Sequence, residues 1–130
     1  MAKPTKLGRV QLQIMEQLWK SGAATARQIT DALSLETPIA HSTVQTLLRK
    51  MEDKGAVTHI KEDRTFVFKP LVAQAEVAES AASDLLARVF HGSVADLVAH
   101  LIGRESVSPE ELRRLRDLID SHTAGKGSQS

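Results

Sequence analysis

The sequence predicts a mainly α fold in which three helices are closed by a two-stranded hairpin and followed by a further set of short helices. Three observations lead there. Apolar residues recur at helical spacing over most of the chain, and the period switches once to strict alternation, between Gly55 and Pro70. The third observation is chemical: opposite the apolar side of the third helix lies a run of uncharged-polar and cationic residues without a carboxylate.

Leu7, Val10, Ile14, Met15 and Leu18 keep near-helical spacing, and Gly22 is placed to end the helix, so a first helix is expected over Gly8 to Ser21. Trp19, the only Trp, reads as a core filler beside Leu18. Thr25 followed by Gln28 has the capping-box form, and Ile29, Ala32 and Leu33 give a short second helix ending near Ser34. Thr37 and Pro38 interrupt the pattern, because the residue before a proline avoids the helical region. A third helix then starts between Ile39 and His41 and closes at Gly55.

In that helix Val44, Leu47, Leu48 and Met51 share one side. The other side carries Ser42, Thr43, Gln45, Thr46, Arg49 and Lys50, with no acid until Glu52. Base edges present donors, acceptors and thymine methyls that Ser, Thr and Gln can match, while Arg and Lys reach guanine or phosphate. Such a face suits the DNA major groove. Taken alone it reads more readily as the wet side of an ordinary core helix, since most polar helix faces are simply solvated.

The alternating stretch AVTHIK, a turn at Glu62 and Asp63, and then Arg64 and TFVFK up to Pro70 form a hairpin. Phe66 and Phe68 share a face that can cover the end of the third helix, leaving Thr65, Val67 and Lys69 on the other. Three helices and a hairpin in this order make a winged helix-turn-helix, with the third helix entering the major groove and the wing beside the backbone. At the wing tip Lys61 is screened by Glu62 and Asp63, whereas Arg64, planar and multiply donating, suits a phosphate or minor-groove contact. His41, at the helix start, is a further backbone candidate beside Arg49 and Lys50.

Beyond Ala73 a stripe of Ala78, Ala81, Ala82, Leu85, Leu86 and Val89 marks a helix to Phe90. Ser93 with Asp96 caps a second, carrying Leu97, Val98, Leu101 and Ile102, and Ser108, Pro109 and Glu111 start a third, carrying Leu112, Leu115, Leu118 and Ile119. Helices this short cannot enclose a core by themselves, so a second copy of the chain, packed about a two-fold axis, is the expected cover. The alternative is that they fold back on the winged domain. The expected division is a DNA-binding domain over 1–71, a helical dimerisation domain over 72–122 built on Leu85, Leu86, Val89, Leu97, Leu101, Leu112, Leu115, Leu118 and Ile119, and a disordered tail over 123–130.

Charge divides along the same line. Residues 1–70 carry 11 Lys+Arg against 7 Asp+Glu, and residues 71–130 carry 6 against 9, so a basic front half meets a polyanion and an acidic rear half suits protein. With 130 residues, no cysteine and no long apolar run, the chain is expected to be cytoplasmic, without disulfides, thiolate metal sites or membrane segments. The five histidines lack the spacing of a metal site, and no metal or other cofactor is expected. Ser42 beside His41 is an adjacent pair suggestive of hydrolysis, but helix neighbours project apart, so no enzymatic activity is expected.

The runs LGRVQLQIMEQLW, STVQTLLRKMEDKG and DRTFVFKPLV, continued by VFHGSVADLVAHLI and VSPEELRRLRDLID, closely resemble the bacterial penicillinase and methicillin-resistance repressor family. The resemblance covers nearly the whole chain to about His122. It implies a homodimeric repressor of double-stranded operator DNA with an inverted repeat, in which Ser42, Thr43, Gln45 and Thr46 read bases. The paired cysteines of copper-responsive members are absent here. Penicillinase-type members are cut by a regulatory protease, typically between Asn and Phe; the corresponding bond here joins His100 and Leu101, so inducible release by cleavage there is an expectation with altered residues. The competing reading is a winged-helix protein-interaction module that does not select DNA sequence.

Overall fold

The computed structural model describes residues 5–104 and 106–129. In chain order the elements are α1 (Arg9–Ser21), β1 (Ala24–Thr25), α2 (Ala26–Ser34), α3 (His41–Asp53), β2 (Val57–Glu62), β3 (Thr65–Pro70), α4 (Gln74–Val89), α5 (Val94–Arg104) and α6 (Pro109–Gln129). The chain divides into one unit up to Leu85 and a second from Leu86 onward.

Local chemistry sets the helix ends of the first unit. At α1 the Gly8 N–H donates to Gln11 Oε1 at 3.0 Å, and Gly22, at φ +83°, turns the chain out while its N–H donates to Leu18 O at 2.7 Å. At α2 the capping box read from Thr25 and Gln28 is realised in both directions: Gln28 N–H donates to Thr25 Oγ1 at 3.1 Å and Thr25 N–H donates to Gln28 Oε1 at 2.9 Å. Both helices end where their sequence signals put them. The apolar sides of α1, α2 and α3 then meet in one core, with Ile14, Met15, Leu18, Ile29, Val44, Leu48 and Met51 at most 1% exposed. Each such side chain contributes about 1.5–3 kcal/mol relative to exposure.

The sheet has three antiparallel strands in the order β1-β3-β2, not two. Ala24 and Thr25 pair with Phe68 and Val67, and β2 pairs with β3 from Val57↔Pro70 to Glu62↔Thr65. A strand of two residues shows no alternation, so nothing in the sequence marked β1. The hairpin turn also lies one residue later than expected: Glu62 is paired in β2, and Asp63 and Arg64, at φ +48° and +68°, make the connection. Two left-handed residues give the twist that a two-residue hairpin loop requires.

The first unit extends past the boundary expected after Leu71. Val72 and Val77 are 2% and 7% exposed and belong to the core, Trp19 Nε1 donates to Val72 O at 2.8 Å, and Thr5 Oγ1 donates to Ser80 Oγ at 2.9 Å. Trp19 thus fills space and satisfies its one donor.

In the second unit Ser93 Oγ accepts from Asp96 N–H and Ser108 Oγ from Glu111 N–H, both at 3.1 Å, as the cap signals required. Among its residues whose burial is described, none is buried. The α6 backbone is helical to Gln129, where a tail was expected from residue 123. Extending an existing helix fixes one residue per new hydrogen bond, far easier than starting one, and no proline follows Pro109 to stop it. No single helix among the described residues is long and apolar enough to cross a membrane.

Candidate nucleic-acid interface

The two sides of α3 differ completely. Val44, Leu48 and Met51 are buried and Leu47 half-buried, whereas Ser42, Thr43, Gln45, Thr46, Arg49 and Lys50 are all exposed. The apolar spacing dictates this division, since these four apolar residues must face α1, α2 and the sheet. What remains outward is a surface of hydroxyls, one amide and two cations.

Its first residue is held in place. His41 Nδ1 lies 3.1 Å from Thr30 Oγ1, and the Thr30 hydroxyl donates to Ala26 O at 2.8 Å. With its proton committed to that carbonyl, Thr30 Oγ1 accepts, so the imidazole donates from Nδ1. Nε2 is the ring nitrogen outside that contact. Thr30 is only 5% exposed, which makes the relay a fixed feature of the α2–α3 junction.

A second contact ties the end of α3 to the wing. His59 Nδ1 lies 2.7 Å from the Glu52 carboxylate, and the His59 ring stacks on Phe66 with centroids 4.2 Å apart and planes at 27°. Phe68, edge-on to Phe66 at 6.5 Å, is 7% exposed and completes the wing's inner wall. The expectation for the two phenylalanines therefore divides: Phe68 covers the core, and Phe66, 48% exposed, stands out of it.

Between α3 and the wing lies a cleft of about 610 Å³. Its α3 wall is the stripe His41, Gln45, Arg49 and Glu52, residues spaced to share one helix face. The wing adds His59, Arg64, Phe66 and Phe68, and the start of α2 adds Arg27. Of the residues singled out from the sequence, the cleft brings together His41, Gln45, Arg49 and Arg64; Ser42, Thr43, Thr46 and Lys50 are exposed on α3 but do not line it. Arg27, Thr30, Glu52 and His59 were missed, and only chain folding could reveal them: Thr30 meets His41, and Glu52 meets His59, across a turn, and Arg27 reaches the cleft from the start of α2.

The rear helices place the remaining candidates. Leu85, Val89, Leu101, Leu112, Leu118 and Ile119 are 40–63% exposed, and Leu86, Leu97 and Leu115 are half-buried. His100 and Leu101 both lie on α5, exposed, and the His100 ring meets Phe90 edge-on at 6.0 Å.

An outward polar helix, seated on two others and flanked by a hairpin, defines a winged helix-turn-helix, a class whose third helix docks in the major groove. The family model described as penicillinase repressor matches residues 7–121, and the chain belongs to that family. It is similar to the transcriptional regulator BlaI of Mycobacterium tuberculosis, 31% identical over 131 residues covering 99% of this chain and 94% of the relative. It is also similar to the penicillinase repressor of Bacillus licheniformis, 26% identical over 94% of this chain and 95% of that one. Among solved structures, the DNA-binding domain of the repressor BlaI aligns with a TM-score of 0.52 and 29% identity, covering 58% of this chain and 93% of that domain.

Proposed function

We propose that this chain is a transcriptional repressor that binds operator DNA in a sequence-specific manner, as a homodimer on an inverted repeat, without a catalytic step. The observation that carries the reading is the outward face of α3, where Ser42, Thr43, Gln45 and Thr46 are all exposed and free of carboxylates. These four read base edges, while His41, Arg49, Lys50 and Arg64 hold phosphates. Membership in the penicillinase repressor family, with relatives named a penicillinase repressor and a transcriptional regulator, supports the same reading.

Homodimerisation is supported by the exposed leucines of the second unit, which a second copy would cover. Each protomer then presents one α3 to one half-site, with half-site centres about one helical turn, or a small multiple of it, apart. Release by a protease acting between His100 and Leu101 would require α5 to unwind first, because proteases take an extended chain and this bond is helical. Cleavage there separates α6 from the rest and weakens the dimer.

Selection of bound fragments from random duplex DNA, with the full-length protein at graded salt, tests the proposal. The expected result is an enriched inverted repeat. Equal retention of selected and random duplexes, as an interaction module would give, overturns it.

A further inference from the structure

The cleft between α3 and the wing is built for more than a DNA strand. Its volume, about 610 Å³, falls in the range of small-molecule sites. Three arginines line it, Arg27 from α2, Arg49 from α3 and Arg64 from the wing tip. The one carboxylate on its wall, Glu52, is engaged by His59 at 2.7 Å, so the cleft is cationic.

Its opposite character is aromatic. Phe66 lies 48% exposed on the cleft wall, its ring backed by His59 at 4.2 Å. A phenylalanine that contributed only to the core would be covered as Phe68 is. A flat apolar surface beside three planar cations matches a flat apolar body that carries one anionic group.

We propose that this cleft binds a small aromatic carboxylate, and that the ligand and DNA exclude one another there. The ring lies against Phe66 and the carboxylate pairs with the arginines. Exclusion rests on the DNA-binding reading above, because Gln45, Arg49 and Arg64 would be shared. The result is an input that needs no cut in the chain.

The test uses the full-length protein without DNA, titrated with 2-naphthoate and followed by calorimetry and by backbone amide shifts. Saturable binding is expected, with shifts at α2, α3 and the wing. Phe66→Ala and Arg27→Gln, two changes at exposed positions outside the base-reading set, should each raise Kd about tenfold. The cation 2-naphthalenemethylamine and inorganic phosphate should bind at least that much more weakly. Equal binding of either control, unchanged Kd in both variants, or shifts confined to α5 and α6 overturns the site.

A second arm adds 2-naphthoate to the protein on its selected DNA fragment, where a rise in apparent Kd for DNA is expected in the parent and less in Phe66→Ala. Ligand binding with undisturbed DNA retention overturns the exclusion. Because the first arm contains no DNA, failure to select any sequence sinks the repressor reading while leaving the ligand result to stand or fall by itself.

Discussion

At Arg64 the proposed DNA contact should be set against stability in a single residue. It occupies the second position of the hairpin turn at φ +68°, where a side chain with a Cβ is strained and glycine is not. Arg64→Gly should therefore stabilise the chain by up to about 1 kcal/mol, read as a higher midpoint in urea, while weakening DNA binding at every sequence. Loss of stability would mean that the guanidinium supports the fold, and unchanged affinity would remove it from the interface. Thr30 carries the complementary case. Thr30→Val keeps the buried shape but leaves the His41 imidazole without its acceptor, and it should cost about 1 kcal/mol of stability and also weaken DNA binding, because the ring is no longer held at the start of α3. A stability loss with DNA affinity intact would make the relay purely structural.

At the scale of an element, reading and holding should separate along α3. Gln45→Ala or Thr46→Ala should change which base is preferred at one position of each half-site, whereas Lys50→Ala should weaken all sequences alike and reduce the salt slope by about one unit. A Gln45→Ala protein that selects the parental sequence would remove this face from the groove. The element was legible in the sequence because its burial follows from spacing: Val44, Leu47, Leu48 and Met51 had to turn inward, and everything between them outward. Caps were legible for a similar reason, since Thr25, Ser93 and Ser108 act on residues three positions away. What escaped depends on distant parts of the chain. Strand β1 exists only because β3 offers it an edge, the core takes in Val72 and Val77 from beyond the hairpin, and the cleft needs Arg27 from α2, Glu52 from α3 and His59 from the hairpin in one place. The turn was misplaced by one residue because Asp63 and Arg64 lack the glycine that usually announces left-handed backbone.

At the scale of the whole molecule the unsatisfied surface is at the rear. Leu118 and Ile119 are 63% and 56% exposed on a helix whose first turn carries Glu110 and Glu111, so an apolar stripe beside a polar end is left uncovered among the described residues of its unit. If a second copy covers that stripe, the two winged units are tethered, and engaging one half-site presents the other to its neighbour at high effective concentration. Such linkage raises affinity by about 10²–10⁴ without any new contact to DNA. The double change Leu118→Asp with Ile119→Asp should then yield a monomer by sedimentation and lose most of that factor on the inverted repeat. Affinity for an isolated half-site should stay at the parental value, because α3 is untouched. The winged unit should melt as before, since its core of Ile14, Leu18, Leu48 and their neighbours lies in the other unit. A variant that stays dimeric would place the two-fold contact on other residues. One that becomes monomeric yet holds the full repeat as tightly as the parent would show that the two half-sites are bound independently, and that tethering contributes nothing to repression.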